Sequence, residues 1–223
     1  MFNLSVFYAS TKVTNMENNR LREHLQERMP VFKEEIQDIM EINNENSLNQ
    51  ALSFLISFNI LKRFENGIYY LPSEDHRFAH LQPSLKDVVY KKYLDNDNGI
   101  MTGAYLLYKY KFTTQVSSYY EILFNNVSSK TRSKKEYEGK VSVSHPKVPI
   151  NKESIHYIEF IELVKYLHFS DLNDEENYAQ LKELLIKMKL EEKKLVSYVN
   201  HYNGRRYSRL RVYISKIINN ETS

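Results

Sequence analysis

Ser47-Leu48-Asn49-Gln50-Ala51-Leu52-Ser53 opens a stretch that runs through Asn59-Ile60-Leu61-Lys62-Arg63-Phe64, turns at Glu65-Asn66-Gly67 and leaves through Ile68-Tyr69-Tyr70-Leu71-Pro72. Leu48, Ala51, Leu52, Leu55 and Phe58 recur at three- and four-residue spacing, so a helix gathers them on one face. Asn49, Gln50, Ser53 and Ser57 are left on the other face, and Ser47 is expected to cap the helix. Asn66-Gly67 offers the positive φ that a tight two-residue hairpin turn requires. A helix followed by a short hairpin reads as the last helix and wing of a winged helix-turn-helix. Such a unit can place side chains in a major groove and cations against phosphate.

Upstream, Met16 to Met29 spaces Leu21, Leu25 and Met29 for a first helix, and Pro30 ends it. Val31 to Ile42 has the pattern of a second helix, and the polar run Asn43 to Asn46 turns the chain into the third. The expected organisation is an arm or short strand over residues 1–15, a winged-helix domain over 16–72 and a polar, proline-bounded connector over 73–83. A C-terminal α+β domain over 84–223 follows, so the fold class read from the sequence is α+β. In that second part Ser84 to Leu94, Gly103 to Tyr110, Ser154 to Phe169 and Asp174 to Asn200 are expected as helices. Tyr119 to Phe124 and Gly139 to Ser144 have strand character, and the basic run Ser128 to Lys135 reads as a surface loop. Arg205 to Ile214 is ambiguous between helix and strand, and helix is preferred.

Composition narrows the chemistry. The 223 residues include no cysteine, which excludes disulfides and thiolate zinc sites. The first residues lack a basic segment followed by a long apolar one, and no later stretch holds about 18 uninterrupted apolar residues. A soluble, cytoplasmic chain without membrane association is therefore expected. No Gly-rich phosphate loop and no Gly-x-Ser-x-Gly elbow occur. His76 and His80 stand four apart but have no third ligand near them in sequence. No catalytic constellation, metal site or cofactor is expected, and the chain does not read as an enzyme.

The net charge is only +3, and its distribution says more. Between Leu181 and Lys216 there are ten Lys or Arg against three Glu. Arg205, Arg206, Arg209 and Arg211 form the densest set, with Tyr202, Tyr207 and Tyr213 between them. That pattern suits a nucleic-acid or acidic-protein surface, and the plainer reading is a solvated basic helix. The expected DNA contacts are Ser47, Asn49, Gln50 and Ser53 toward bases or phosphates, with Lys62, Arg63 and the four arginines clamping phosphate. For the helix face, too, the plainer reading is simple solvation.

The order of short motifs resembles a known family. Gly67-Ile68-Tyr69-Tyr70-Leu71-Pro72 closes the wing, Gly103-Ala104 opens a helix, and Phe112-Thr113-Thr114-Gln115-Val116 precedes a strand. Together they look like the AbiEi-type antitoxins of bacterial abortive-infection systems, with Phe112 where leucine is commoner and Ser117 where proline is usual. The resemblance spans residues 47 to 165 and leaves 170 to 223 unmatched. It implies a DNA-binding autorepressor that recognises an inverted repeat in its own promoter, as a cooperative monomer or weak dimer. It also implies that the second domain counteracts a nucleotidyltransferase-like toxin encoded alongside, with or without a stable complex. The alternative is a protein-interaction module that docks an acidic partner through the basic C-terminal surface, the winged helix serving as scaffold.

Overall fold

The computed structural model describes residue 16 and residues 18–129, 132–167, 174–204 and 207–219. The protein is mixed α+β and divides into two compact units, Met1–Lys92 and Tyr93–Ser223. The division falls inside a helical segment, downstream of the polar 73–83 connector, which belongs to the first unit. The proposed arm over 1–15 lies outside the described residues.

In the first unit, α1 covers residues 18–24. The chain then straightens: Glu27 bridges to Leu71, and the Arg28 N–H donates to the Leu71 carbonyl at 2.8 Å. The second helix begins later than its apolar spacing suggests, because Val31–Phe32 forms strand β1. Both residues favour extended backbone, and they find partners in Tyr69 and Ile68. Helix α2, Lys33–Ile39, starts where the Glu35 carboxylate reaches back to accept the Phe32 N–H at 2.7 Å.

Helix α3 is Glu45–Ser57. Its N-cap is Asn44, not Ser47: the Asn44 side chain accepts the Ser47 N–H at 2.7 Å, which makes Ser47 the third helical residue. An amide one turn upstream therefore does the work expected of the serine. At the other end Asn59 takes φ +57. The Asn59 N–H donates to the Ile56 carbonyl and the Ile60 N–H to Leu55, the paired bonds of a Schellman stop. Strands β2, Lys62–Glu65, and β3, Ile68–Tyr70, follow, and the sheet order is β1-β3-β2, antiparallel throughout. Of the two turn residues only Gly67 lies at positive φ, +80, and a bulge between Arg63 and Glu65 absorbs the mismatch. Leu48, Leu52 and Leu55 pack with Leu21, Ile36 and Leu61 as one core. Phe58 does not join them; it is exposed and stacks on Phe54 at 4.5 Å between ring centroids.

A helical segment, α4 over Leu85–Val89 and a π-turn over Tyr90–Leu94, carries the chain into the second unit. There, β4 is Gly99–Thr102, α5 Ala104–Lys109, β5 Tyr120–Phe124, β6 Lys134–Glu136 and β7 Val141–Ser144. They are followed by α6 Ile155–Tyr166, α7 Glu175–Lys187, α8 Glu192–Val199 and α9 Ser208–Asn219. The sheet order is β4-β5-β7-β6, with β5 and β7 parallel and the outer pairs antiparallel. Two strands escape the sequence pattern. Gly99–Thr102 is too short to alternate visibly, and Lys134–Glu136 falls in the run expected as loop. The lysines of β6 are those of an edge strand, whose outer side stays open to water.

Helix α6 is buried along most of its length, with Phe160, Ile161, Leu163 and Val164 in the core formed with α7, α8 and α9. Its expected continuation to Phe169 lies outside the described residues. The C-terminal ambiguity resolves as helix from Ser208 onward. Among the described residues no helix is long and apolar enough to cross a membrane.

A candidate nucleic-acid surface and a polar cavity

On α3 the side chains of Ser47, Asn49, Gln50 and Ser53 are all exposed. Leu48, Leu52 and Leu55 hold the opposite face in the core, so the helix cannot rotate this row inward without unburying three leucines. The row is almost uncharged. Glu45, at its start, pairs with Lys33 at 3.2 Å, and the Ser53 hydroxyl donates to the Asn49 carbonyl of its own helix. Asn49 and Gln50 are the groups with donors and acceptors turned outward.

The two hairpin cations differ from expectation in one case. Lys62 is half-buried and donates from Nζ to the Ala79 carbonyl at 2.7 Å, so it anchors the connector and does not project as a phosphate clamp. Arg63 is exposed, with its guanidinium over the Tyr69 ring at 5.6 Å. Further cations of this unit are also engaged: Lys91 with Glu35 at 2.6 Å, Lys92 with Glu65 at 2.9 Å and Arg22 with Glu27 at 2.9 Å. The first unit carries eleven Lys and Arg against twelve Asp and Glu, the second twenty against sixteen, so the positive charge resides in the second.

Of the C-terminal arginines, Arg209 is exposed and Arg211 half-exposed on α9, while Arg205 and Arg206 lie outside the described residues. The interleaved tyrosines do not share their surface. Tyr202, Tyr207 and Tyr213 are buried because Leu210, Ile214 and Ile217 of the same stretch need a core, and the tyrosines complete it. Tyr202 donates to the Glu162 carboxylate at 3.1 Å; burial and the nearby Glu162 charge push its phenol well above the ordinary range. The structure thus keeps the four α3 residues exposed and Arg63 exposed in the same unit, and places Arg209 and Arg211 in the other.

A polar cavity of about 280 Å³, which no contiguous sequence pattern announces, lies in the second unit between the sheet and α6. Its lining follows from strand register. Thr102 pairs with Glu121, and Glu121 with Ser142, so these three side chains share one face across three strands. Two residues further along β7, Ser144 donates to the Ser133 hydroxyl at 2.9 Å. Helix α6 covers this face, bringing Glu162, Lys165 and Tyr166 to the cavity after Ile158 has packed against Ile100, Val148 and Ile150. Glu162 is only 2 % exposed and is balanced by an ion pair with Lys165 and the Tyr202 hydroxyl. The phenol of Tyr166 is raised by burial, by its hydrogen bond to Glu121 and by the charges of Glu121 and Glu162, so it remains a proton donor.

Gly103 makes this corner possible. It adopts φ +69, and a Cβ there would lie 2.1 Å from Glu121 Oε2. A sequence signal existed: Glu159 and Glu162 fall among the apolar residues of helix α6 that enter the core, and a buried carboxylate needs partners. Glu159 finds Lys109 at 2.6 Å and the Tyr110 hydroxyl at 2.8 Å. Among the described residues no group of three or more His, Asp or Glu side chains is arranged to hold a metal ion.

No curated protein and no solved structure matches the chain significantly. The family described as a family of unknown function (DUF6088) matches residues 21–193. That segment takes in α2, α3, the hairpin and every cavity-lining residue except Tyr207, and stops before the arginines of α9. With well over half of its length matched, the chain belongs to the DUF6088 family.

Proposed function

We propose that this protein is a duplex-DNA-binding regulator of its own operon, with a winged helix-turn-helix as its first unit and the antitoxin role of the AbiEi-type proteins it resembles. The observation that carries the reading is the exposed, nearly uncharged polar row of α3, followed in the chain by a hairpin that bears the exposed Arg63. The element order supports it: helix, strand, helix, helix and a two-stranded hairpin, with the first strand paired to the last. In a major groove, Asn49 and Gln50 can each make bidentate contacts to adenine, and Ser47 can meet a phosphate.

The engaged cations of the first unit mean that base contacts, not charge, dominate its contribution. Binding to an inverted repeat by two copies, as a weak dimer or cooperatively, supplies the affinity that one neutral unit lacks, and Arg209 and Arg211 add phosphate contacts. A mobility-shift series on the promoter of its own operon tests this. Binding to that promoter well above random duplex is expected, with Asn49→Ala and Gln50→Ala each losing about 1–3 kcal/mol of discrimination. Equal binding to random duplex overturns the repressor reading. The antitoxin part is tested by co-expression with a nucleotidyltransferase-like neighbour: growth rescue is expected, and its absence overturns that part.

The concentration of positive charge in the second unit favours a second reading, an interaction module docking an acidic partner through its basic C-terminal face. Reversing Arg209 and Arg211 to Glu separates the two. Lost rescue with intact promoter binding favours docking.

A further inference from the structure

The cavity between the four-stranded sheet and α6 has ends of opposite character. At one end are Glu121, Thr102 and Tyr166; at the other, where β7 leaves the sheet, are Ser133, Ser144, Arg132 and Lys147. Glu121 stands beside Ser142 and Leu123 beside Ser144, so the ends are two strand residues apart, about 7 Å along the sheet. Glu162 and Lys165, which also line the cavity, neutralise each other. Among the described residues Arg132 and Lys147 form no ion pair, which leaves two cations and two serine hydroxyls facing one end.

We propose that this cavity binds a small phosphate ester, with its phosphate held by Arg132, Lys147, Ser133 and Ser144 and a hydrogen-bond donor on its other end received by Glu121. A doubly charged tetrahedral phosphate matches two cations and two hydroxyls better than a planar carboxylate does. At the far end Glu121 accepts the Tyr166 proton with part of its capacity, and a carboxylate has about four lone-pair sites. An amino or sugar hydroxyl group can take the remainder. The half-buried Glu121 carboxylate gains from such a donor, which a purely anionic ligand cannot supply. The volume of about 280 Å³ lies just under the usual range of ligand sites, which limits the ligand to about the size of a mononucleotide and excludes a long polymer segment. The site is independent of α3, and its test is independent of promoter binding.

Calorimetric titration of the full chain with AMP, GMP, CMP, UMP and inorganic phosphate tests the proposal. At least one nucleoside monophosphate is expected to bind more tightly than inorganic phosphate. Arg132→Gln and Lys147→Gln, both at exposed positions, are each expected to weaken binding of nucleotide and phosphate about tenfold. Glu121→Gln, which keeps the side-chain shape, is expected to weaken the nucleotide alone and bring it toward the level of phosphate. Circular dichroism confirms that each variant is folded. No binding of any probe at millimolar concentration overturns the proposal, as does binding indifferent to Arg132 and Lys147. Equal affinity for phosphate and every nucleotide overturns the donor end. A single-stranded oligonucleotide that binds where the mononucleotides do not reassigns the cavity to a nucleic-acid groove.

Discussion

Gly103 places the heaviest demand on a single residue. Its φ of +69 disfavours any side chain, and the nearby Glu121 carboxylate occupies the volume a Cβ would take. Gly103→Ala is expected to cost at least about 2 kcal/mol in chemical denaturation, because strain and displacement of Glu121 add. Glu27 makes a different, pH-dependent demand. Its carboxylate is held below the ordinary range first by the Glu74 N–H, at 2.8 Å, then by the Ser73 hydroxyl and Arg22. A depressed folded-state value stabilises the fold above the unfolded value of about 4.3 and loses that contribution as pH falls through the folded value. Thermal melts of Glu27→Gln against the native chain are expected to differ at neutral pH and to converge in acid. The partial exposure of Glu27 keeps the difference modest.

At the scale of elements, α3 is specified at both ends by asparagines. Asn44 caps its first turn, and Asn59 takes the left-handed position that ends it. Asn44→Ala is expected to lower stability by about 1 kcal/mol, while Ser47→Ala changes it little, a contrast readable in urea denaturation. The four-residue polar run Asn43 to Asn46 announced a helix start, yet several of its members could have capped equally well. Only the path from α2 selected Asn44. Val31–Phe32 has the same origin: its apolar spacing continues into α2, but a waiting edge on β3 turns two residues into strand. Tyr202, Tyr207 and Tyr213 read as part of a basic surface because their neighbours in sequence are arginines; on α9 the helical period turns Tyr213 inward and Arg209 outward, while Tyr202 and Tyr207 enter the core ahead of the helix.

For the whole molecule, charge is the quantity that matters most. The first unit is close to neutral and the second carries the excess. If duplex binding draws on about six cations, including Arg209 and Arg211, log K should fall with log salt at a slope of about −5, and Arg209→Gln with Arg211→Gln should reduce that slope by about 2. A slope unchanged by the double substitution would leave those arginines outside the DNA interface. Helix periodicity, proline and glycine punctuation, and the uneven spread of charge are local or compositional, so the α+β class, the α3 helix and its exposed row were legible from residue order alone. The engagement of Lys62 by Ala79, the pairing of Gly99–Thr102 with β5 and the convergence of Thr102, Glu121, Ser142 and Glu162 join residues tens of positions apart. Strand register and the burial of α6 against the sheet decide those meetings, and neither is encoded in any contiguous stretch, because each depends on which distant face excludes water from the other.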